Sequence, residues 1–247
     1  MIADVAPQEW TAALDAAVEE MFSTASVIGP PVDAIEIALR LRIEVILDHA
    51  QQPRGRQSRF DERPTIFVRP EERPERLQWA VAHELGETMA HRIFRDLEIT
   101  ADDLQPQDRE EIANRFATRL LLPQRWFLAT AREHDGNLLA LKNTFRTASH
   151  ELIAWRLLDL PVPTIITLFD QGRLTRRRGN SAQKPPRLQP LEHWCWQQAT
   201  EHGEPCLIRQ SGLALQAWPV HEGAWRREFV RTRILCEDEE AWSGVEG

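Results

Sequence analysis

Ala82-His83-Glu84-Leu85-Gly86-Glu87 is the stretch whose residue types and spacing could do chemistry. In an H-E-x-x-H helix, two imidazoles one turn apart grip a metal ion, and the glutamate between them works on a water. Here His83 and Glu84 fill the first two places and Glu87 fills the last, giving H-E-x-x-E. A carboxylate oxygen also binds zinc, at ~2.0–2.2 Å, so the exchange alters charge without removing a donor. Two acids among three ligands make a site more anionic than a two-imidazole site. That raises the pKa of a bound water and brings harder ions such as Mn²⁺ into play beside Zn²⁺.

Such groups converge only if helices carry them. Pro74 suits a first helical position, and the spacing predicts a helix from 74 to about 95. At ~100° per residue, Leu77, Val81, Leu85, Met89 and Ile93 fall on an apolar side with Ala82. His83, Glu84, Glu87 and His91 share another stripe, with Arg76 and Arg95 only at its ends. His83 and Glu87, at i and i+4, have Cβ atoms ~5–6 Å apart and can share one ion. His83 and His91 are separated by ~12 Å along a straight helix and cannot. The helical pair is therefore His83/Glu87 or Glu87/His91. The first is preferred because it leaves Glu84 beside a ligand, where a general base belongs; His91 stays as an additional site residue. A third ligand must come from elsewhere. Pro106 opens a second helix, with Asp108, Glu110 and Glu111 favouring its dipole, and Pro123 closes it. On it Glu110 shares a face with Ala113, Asn114, Ala117 and Leu121, and the small residues allow close approach of another helix. Ile112, Phe116 and Leu120 anchor the other side.

The remaining elements frame these two helices. Residues 7–24 read as an amphipathic helix with Trp10, Leu14, Val18, Met21 and Phe22 at helical spacing. A short helix at 32–41, a buried strand at 43–47, a loop at 51–57 and a hairpin of 58–60 with 65–68 follow. After Pro123, helices are expected at 124–132, 138–144 and 149–158. From Pro161 the texture changes: strands at 164–169 and 174–178 around Asp170-Gln171-Gly172, a linker at 179–190, a helix at 191–200, and strands at 206–208, 213–218 and 229–235. His150-Glu151-Leu152-Ile153-Ala154 begins like a second metal motif but ends in Ala; it reads as a helix start capped by Thr147 or Ser149, with Trp155, Leu157 and Leu158 as core. Arg173, Arg176, Arg177 and Arg178 read as a charged edge strand, with nucleic-acid contact as the rival. His193-Trp194-Cys195-Trp196 reads as a buried helix face, and the acidic run at 237–240 as a solvated end.

The chain has 247 residues, 42% hydrophobic and 28% charged, as expected of a globular protein with no membrane span. A net charge of −8 argues against nucleic acid as a partner. Three cysteines, none in C-x-x-C spacing, and an N-terminus lacking a basic-then-apolar leader point to free thiols in the cytoplasm. There are 9 Trp and no Tyr, so an oxyanion donor would be His91, His134, His150 or an arginine.

Ala82-His83-Glu84-Leu85-Gly86, followed by Glu110-x-x-Ala113-Asn114-x-Phe116-Ala117-x-x-Leu120-Leu121-x-Pro123, resembles the ImmA/IrrE family of bacterial metallopeptidases. The likeness spans roughly residues 32–159. It implies a zincin-like fold, a catalytic zinc, and cytoplasmic cleavage of a helix-turn-helix repressor that controls mobile-element or DNA-damage genes. Carried over, His83 and Glu110 are ligands and Glu84 is the catalytic acid/base; Glu87 departs from the family pattern. The expectation is thus an α+β protein. Residues 1–160 form a mainly helical zincin-like domain with a small sheet, and 161–247 a small mixed α/β domain of unassigned role. The alternatives are a catalytically inactive pseudo-peptidase that binds a regulatory protein, and a DNA-binding regulator using the arginine strand.

Overall fold

The computed structural model describes residues 5–50, 55–60, 63–100, 105–210 and 212–235. Two compact units emerge, Met1–Glu133 with Ala140–Leu152, and His134–Leu139 with Ile153–Gly247. The chain is α+β.

In the first unit, α1 (Pro7–Thr24) buries Trp10, Leu14, Val18, Met21 and Phe22, the stripe its periodicity marks. α2 (Ala34–Arg40) starts later than expected because Asp33 caps it. The Asp33 Oδ1 accepts from the amides of Ile35 and Glu36. Buried Gln78 then accepts from the Ala34 amide at 2.7 Å and donates to Asp33 at 2.9 Å, tying α2 to α3 (Pro74–Asp96). β1 (Glu44–Leu47), β2 (Gly55–Phe60) and β3 (Arg63–Val68) form a sheet in the order β1-β3-β2, with β1 parallel and β2 antiparallel to β3. Two expectations are corrected here. β1 is not buried: it lies at the sheet edge, with Leu47 53% exposed. β2 begins at Gly55, inside the expected loop, because β3 offers ladder partners as far as Val68; residues 51–54 and 61–62 lie outside the described residues.

α3 packs on α4 (Pro106–Leu121), and α5 (Gln124–Glu133), α6 (Leu138–Thr144) and α7 (His150–Arg156) follow, ending in a 3-10 turn. Lys142 spends its donors on Glu75 at 2.6 Å and on the Arg146 and Ala148 carbonyls at 2.8 Å, fixing the start of α3. Ser149 caps α7 through the Leu152 amide. Of Trp155, Leu157 and Leu158, only Leu157 is fully buried; Trp155 lies beneath the Arg178 guanidinium.

The second unit is an antiparallel sheet in the order β5-β4-β8-β7-β6, comprising β4 (Thr164–Asp170), β5 (Arg173–Gly179), β6 (Cys206–Gln210), β7 (Leu213–Glu222) and β8 (Trp225–Ile234). α8 (Pro190–His202) covers one face over a core of Phe169, Cys195, Ala199, Leu215, Ala217 and Val230. The β7–β8 hairpin runs longer than its apolar stretches, reaching the pair Glu222↔Trp225. Pro219 is tolerated there because β6 stops pairing at Ala217, so one side of β7 needs no donor. β5 is an edge strand with Arg173, Arg176 and Arg178 exposed, while Arg177 turns inward to Glu192. Cys195 and Cys206 are free thiols, and Trp196 stacks on Phe169 while Trp194 stays 49% exposed. Among the described residues no helix is long and apolar enough to cross a membrane.

Candidate metal centre

The centre is built where α3 and α4 touch. A Cβ on Gly86 would lie 2.9 Å from the Ala113 Cα and 3.1 Å from the Phe116 Cβ, so a hydrogen atom at that position sets the approach of the two backbones. His83 lies one turn before Gly86 and Glu87 directly after it. Glu110 lies one turn before Ala113. Close contact at the small residues therefore draws these three side chains together. Their ligand atoms all lie within 4.8 Å of one another. The His83 Nε2 is 3.5 Å from Glu110 Oε2 and 4.0 Å from Glu87 Oε1. His83 is largely covered and Glu87 half-buried, whereas Glu110 is open to solvent.

Asn114 organises the group. Its Oδ1 lies 3.2 Å from His83 Nδ1, and its Nδ2 donates to Glu110 Oε1 at 3.4 Å. A carboxamide has one accepting and one donating end. With the donating end on Glu110, the Oδ1 can only accept, so His83 donates through Nδ1 and turns Nε2 to the carboxylates. That is the state in which an imidazole ligates a metal while its other nitrogen donates to a supporting carbonyl. The sequence places Asn114 on the Glu110 face at i+4 but assigns it no role.

Glu84 occupies different ground. It is only 6% exposed, and a Cβ on Gly55 would fall 2.5 Å from its Oε1. The helical wheel groups Glu84 with His83 and Glu87. In the fold, His83 and Glu87 face α4 while the Glu84 carboxylate rests against β2 at Gly55. Gly55 is thus a further residue of the centre, hidden in the sequence because its stretch reads as loop. His91 is exposed, and the converging group among the described residues is His83, Glu87 and Glu110. His150 lies near Glu75 at the start of α3, about two turns from His83.

A groove of about 440 Å³ opens beside the cluster, with Trp79, Gln107, Glu110, Glu111, Asn114 and Arg115 in its wall. Glu110 and Asn114 belong to both groove and cluster. Trp79 lies one turn before His83 and gives the groove an aromatic side.

Residues 38–157 match the model of a peptidase family described as the IrrE N-terminal-like domain. The match supports the likeness to the ImmA/IrrE family, and the segment contains every residue of the centre. A solved structure of a Mycobacterium tuberculosis transcriptional regulator shares the fold, with a TM-score of 0.65 at 22% identity, covering 94% of this chain and 79% of that one. No curated protein sequence matches this chain.

Proposed function

We propose that this chain is a metal-dependent endopeptidase that cleaves a helix-turn-helix transcriptional repressor in the cytoplasm, in a stress or mobile-element response. One observation carries the reading: His83, Glu87 and Glu110 bring their ligand atoms within 4.8 Å of one another, inside the segment that matches a peptidase family. The donor set fits a divalent cation, zinc or manganese, held by His83 Nε2 and one oxygen each from Glu87 and Glu110. Such an ion, when bound, supplies Lewis-acid polarisation of a peptide carbonyl and acidifies a water. The chain's own residues do the rest. Glu84, beside a ligand, takes the proton of the attacking water and delivers it to the departing amine. Its burial against Gly55 keeps the carboxylate in one place. β2, a terminal strand of its sheet with Gly55 against Glu84, offers backbone groups to an extended polypeptide, and the Trp79 groove takes a flanking side chain. The repressor as substrate follows from the ImmA/IrrE resemblance.

A pseudo-peptidase that binds a regulatory protein is the second reading. It draws on the way Asn114 already bridges His83 and Glu110 by hydrogen bonds. Elemental analysis of protein purified without chelator separates the two. One ion per chain, lost in both His83→Ala and Glu110→Ala, is expected of the peptidase. Metal-free protein that stays fully folded supports the binding module.

A further inference from the structure

In the second unit, α8 carries Cys195 and β6 opens with Cys206, the two elements joined through the left-handed turn at Gly203. The Cys195 thiol donates to the Cys206 carbonyl at 3.7 Å, and the Cys206 side chain packs against the core cluster that holds Cys195. Cys195 is 0% exposed and belongs to the core under α8, whereas Cys206 is only half-buried. The pair therefore sets a half-buried cysteine beside a fully sheltered one, the arrangement of an attacking and a resolving thiol.

We propose that Cys195 and Cys206 form a dithiol site that a hydroperoxide oxidises to a disulfide. The Cys206 sulfur attacks one peroxide oxygen and the O–O bond breaks. Cys206 becomes a sulfenic acid, and the second oxygen leaves as water or alcohol with the thiol proton. The Cys195 sulfur then attacks the sulfenic sulfur. A second water departs, carrying the Cys195 proton, and the S–S bond forms. Two electrons pass from the dithiol to the peroxide. Cys195 is sealed in the core, so the first attack falls to the half-buried Cys206, and burial also pushes the Cys195 thiol far above the usual cysteine range. The bond staples the middle of α8 to the first residue of β6, which pairs with Ala217. This site is independent of the proposed peptidase centre.

The test uses the reduced full chain treated with hydrogen peroxide. Expected are a product about 2 Da lighter, reversed by dithiothreitol, a proteolytic fragment linking Cys195 to Cys206, and a melting temperature higher by about 5 °C. Cys206→Ser removes all three and Cys236→Ser removes none. Cys206 lies at a half-buried position where serine fits, so the result does not depend on replacing core Cys195. The idea is overturned by a Cys206 sulfinic acid about 32 Da heavier with Cys195 still free, by a linkage through Cys236, or by thiols that persist under excess peroxide.

Discussion

Glu192 in the second unit and Glu110 in the first are both carboxylates on helices, set in opposite surroundings. Glu192 is 1% exposed, and its oxygens lie 3.0 and 2.9 Å from the Arg177 guanidinium, 2.5 Å from the Thr232 hydroxyl and 2.8 Å from the Gln189 amide. Glu228 repeats the pattern, fully buried, with the Trp196 indole at 3.2 Å and His221 at 2.8 Å. Glu87 and Glu110 instead share one imidazole at 4.0 and 3.5 Å, Glu87 half-buried and Glu110 open to solvent. Fixed donors saturate the first kind, and the fold depends on them. The second kind keeps spare lone pairs beside a neighbour of like charge, a capacity for a cation that the fold itself does not require.

The sharpest break of that contrast is chemical. Glu84→Gln should lower cleavage of a repressor substrate by ~10²–10⁴ while leaving the ion content unchanged, read by single-turnover assay and elemental analysis; retained cleavage would remove Glu84 from its role. Next comes stability. Glu192→Ala strands the Arg177 guanidinium in the core and should cost about 3–5 kcal/mol in urea unfolding, whereas Glu110→Ala should stay within about 0.5 kcal/mol. Equal costs for the two would erase the distinction. Gly86→Ala, forced against Ala113, should cost about 1–3 kcal/mol and weaken ion binding as well; unchanged affinity would mean the helix contact does not gauge the site. Asn114→Ala should weaken ion binding by roughly 10–100-fold with little change in unfolding, measured by competition with a chelating dye.

The smallest effect concerns pH. Burial alone would raise the Glu75 carboxyl, but the hydrogen bond and charge of Lys142 override it and hold it below the usual carboxylate range. A carboxyl lowered in the fold contributes stability that is present above its unfolded pKa of ~4.3 and is lost as pH falls through the folded value. Lys142→Met should therefore lower the urea midpoint slightly at pH 7, with the gap closing on acidification. A gap that widens in acid would place the linkage elsewhere.

Much of this was legible in the residues themselves. The Pro74 and Pro106 starts, the apolar stripes and the charged β5 edge all follow from local rules, and α3 and α4 sit close to where those rules set them. The convergence of His83, Glu87 and Glu110 follows from Gly and Ala at offsets that let two helices touch. The wheel could not separate Glu84 from that stripe, because what lies over each flank of a helix is a tertiary fact. Gly55 escaped notice since its strand exists only through pairing with β3. The buried Gln78 bridge and the far end of the β7–β8 hairpin carry polar residues, and nothing in a polar pattern announces burial or a ladder.

The contact at Gly86 has one more consequence. Because it leaves no room between the two backbones, the helices act as the jaws of a caliper locked at one opening. Glutamate and histidine project to different reach from the same jaw, so a carboxylate at 87 and an imidazole at 87 would seat a guest at different depths. On the proposed reading, the gauge, more than the chemistry of any single donor, would decide which ions of similar appetite for oxygen and nitrogen are admitted.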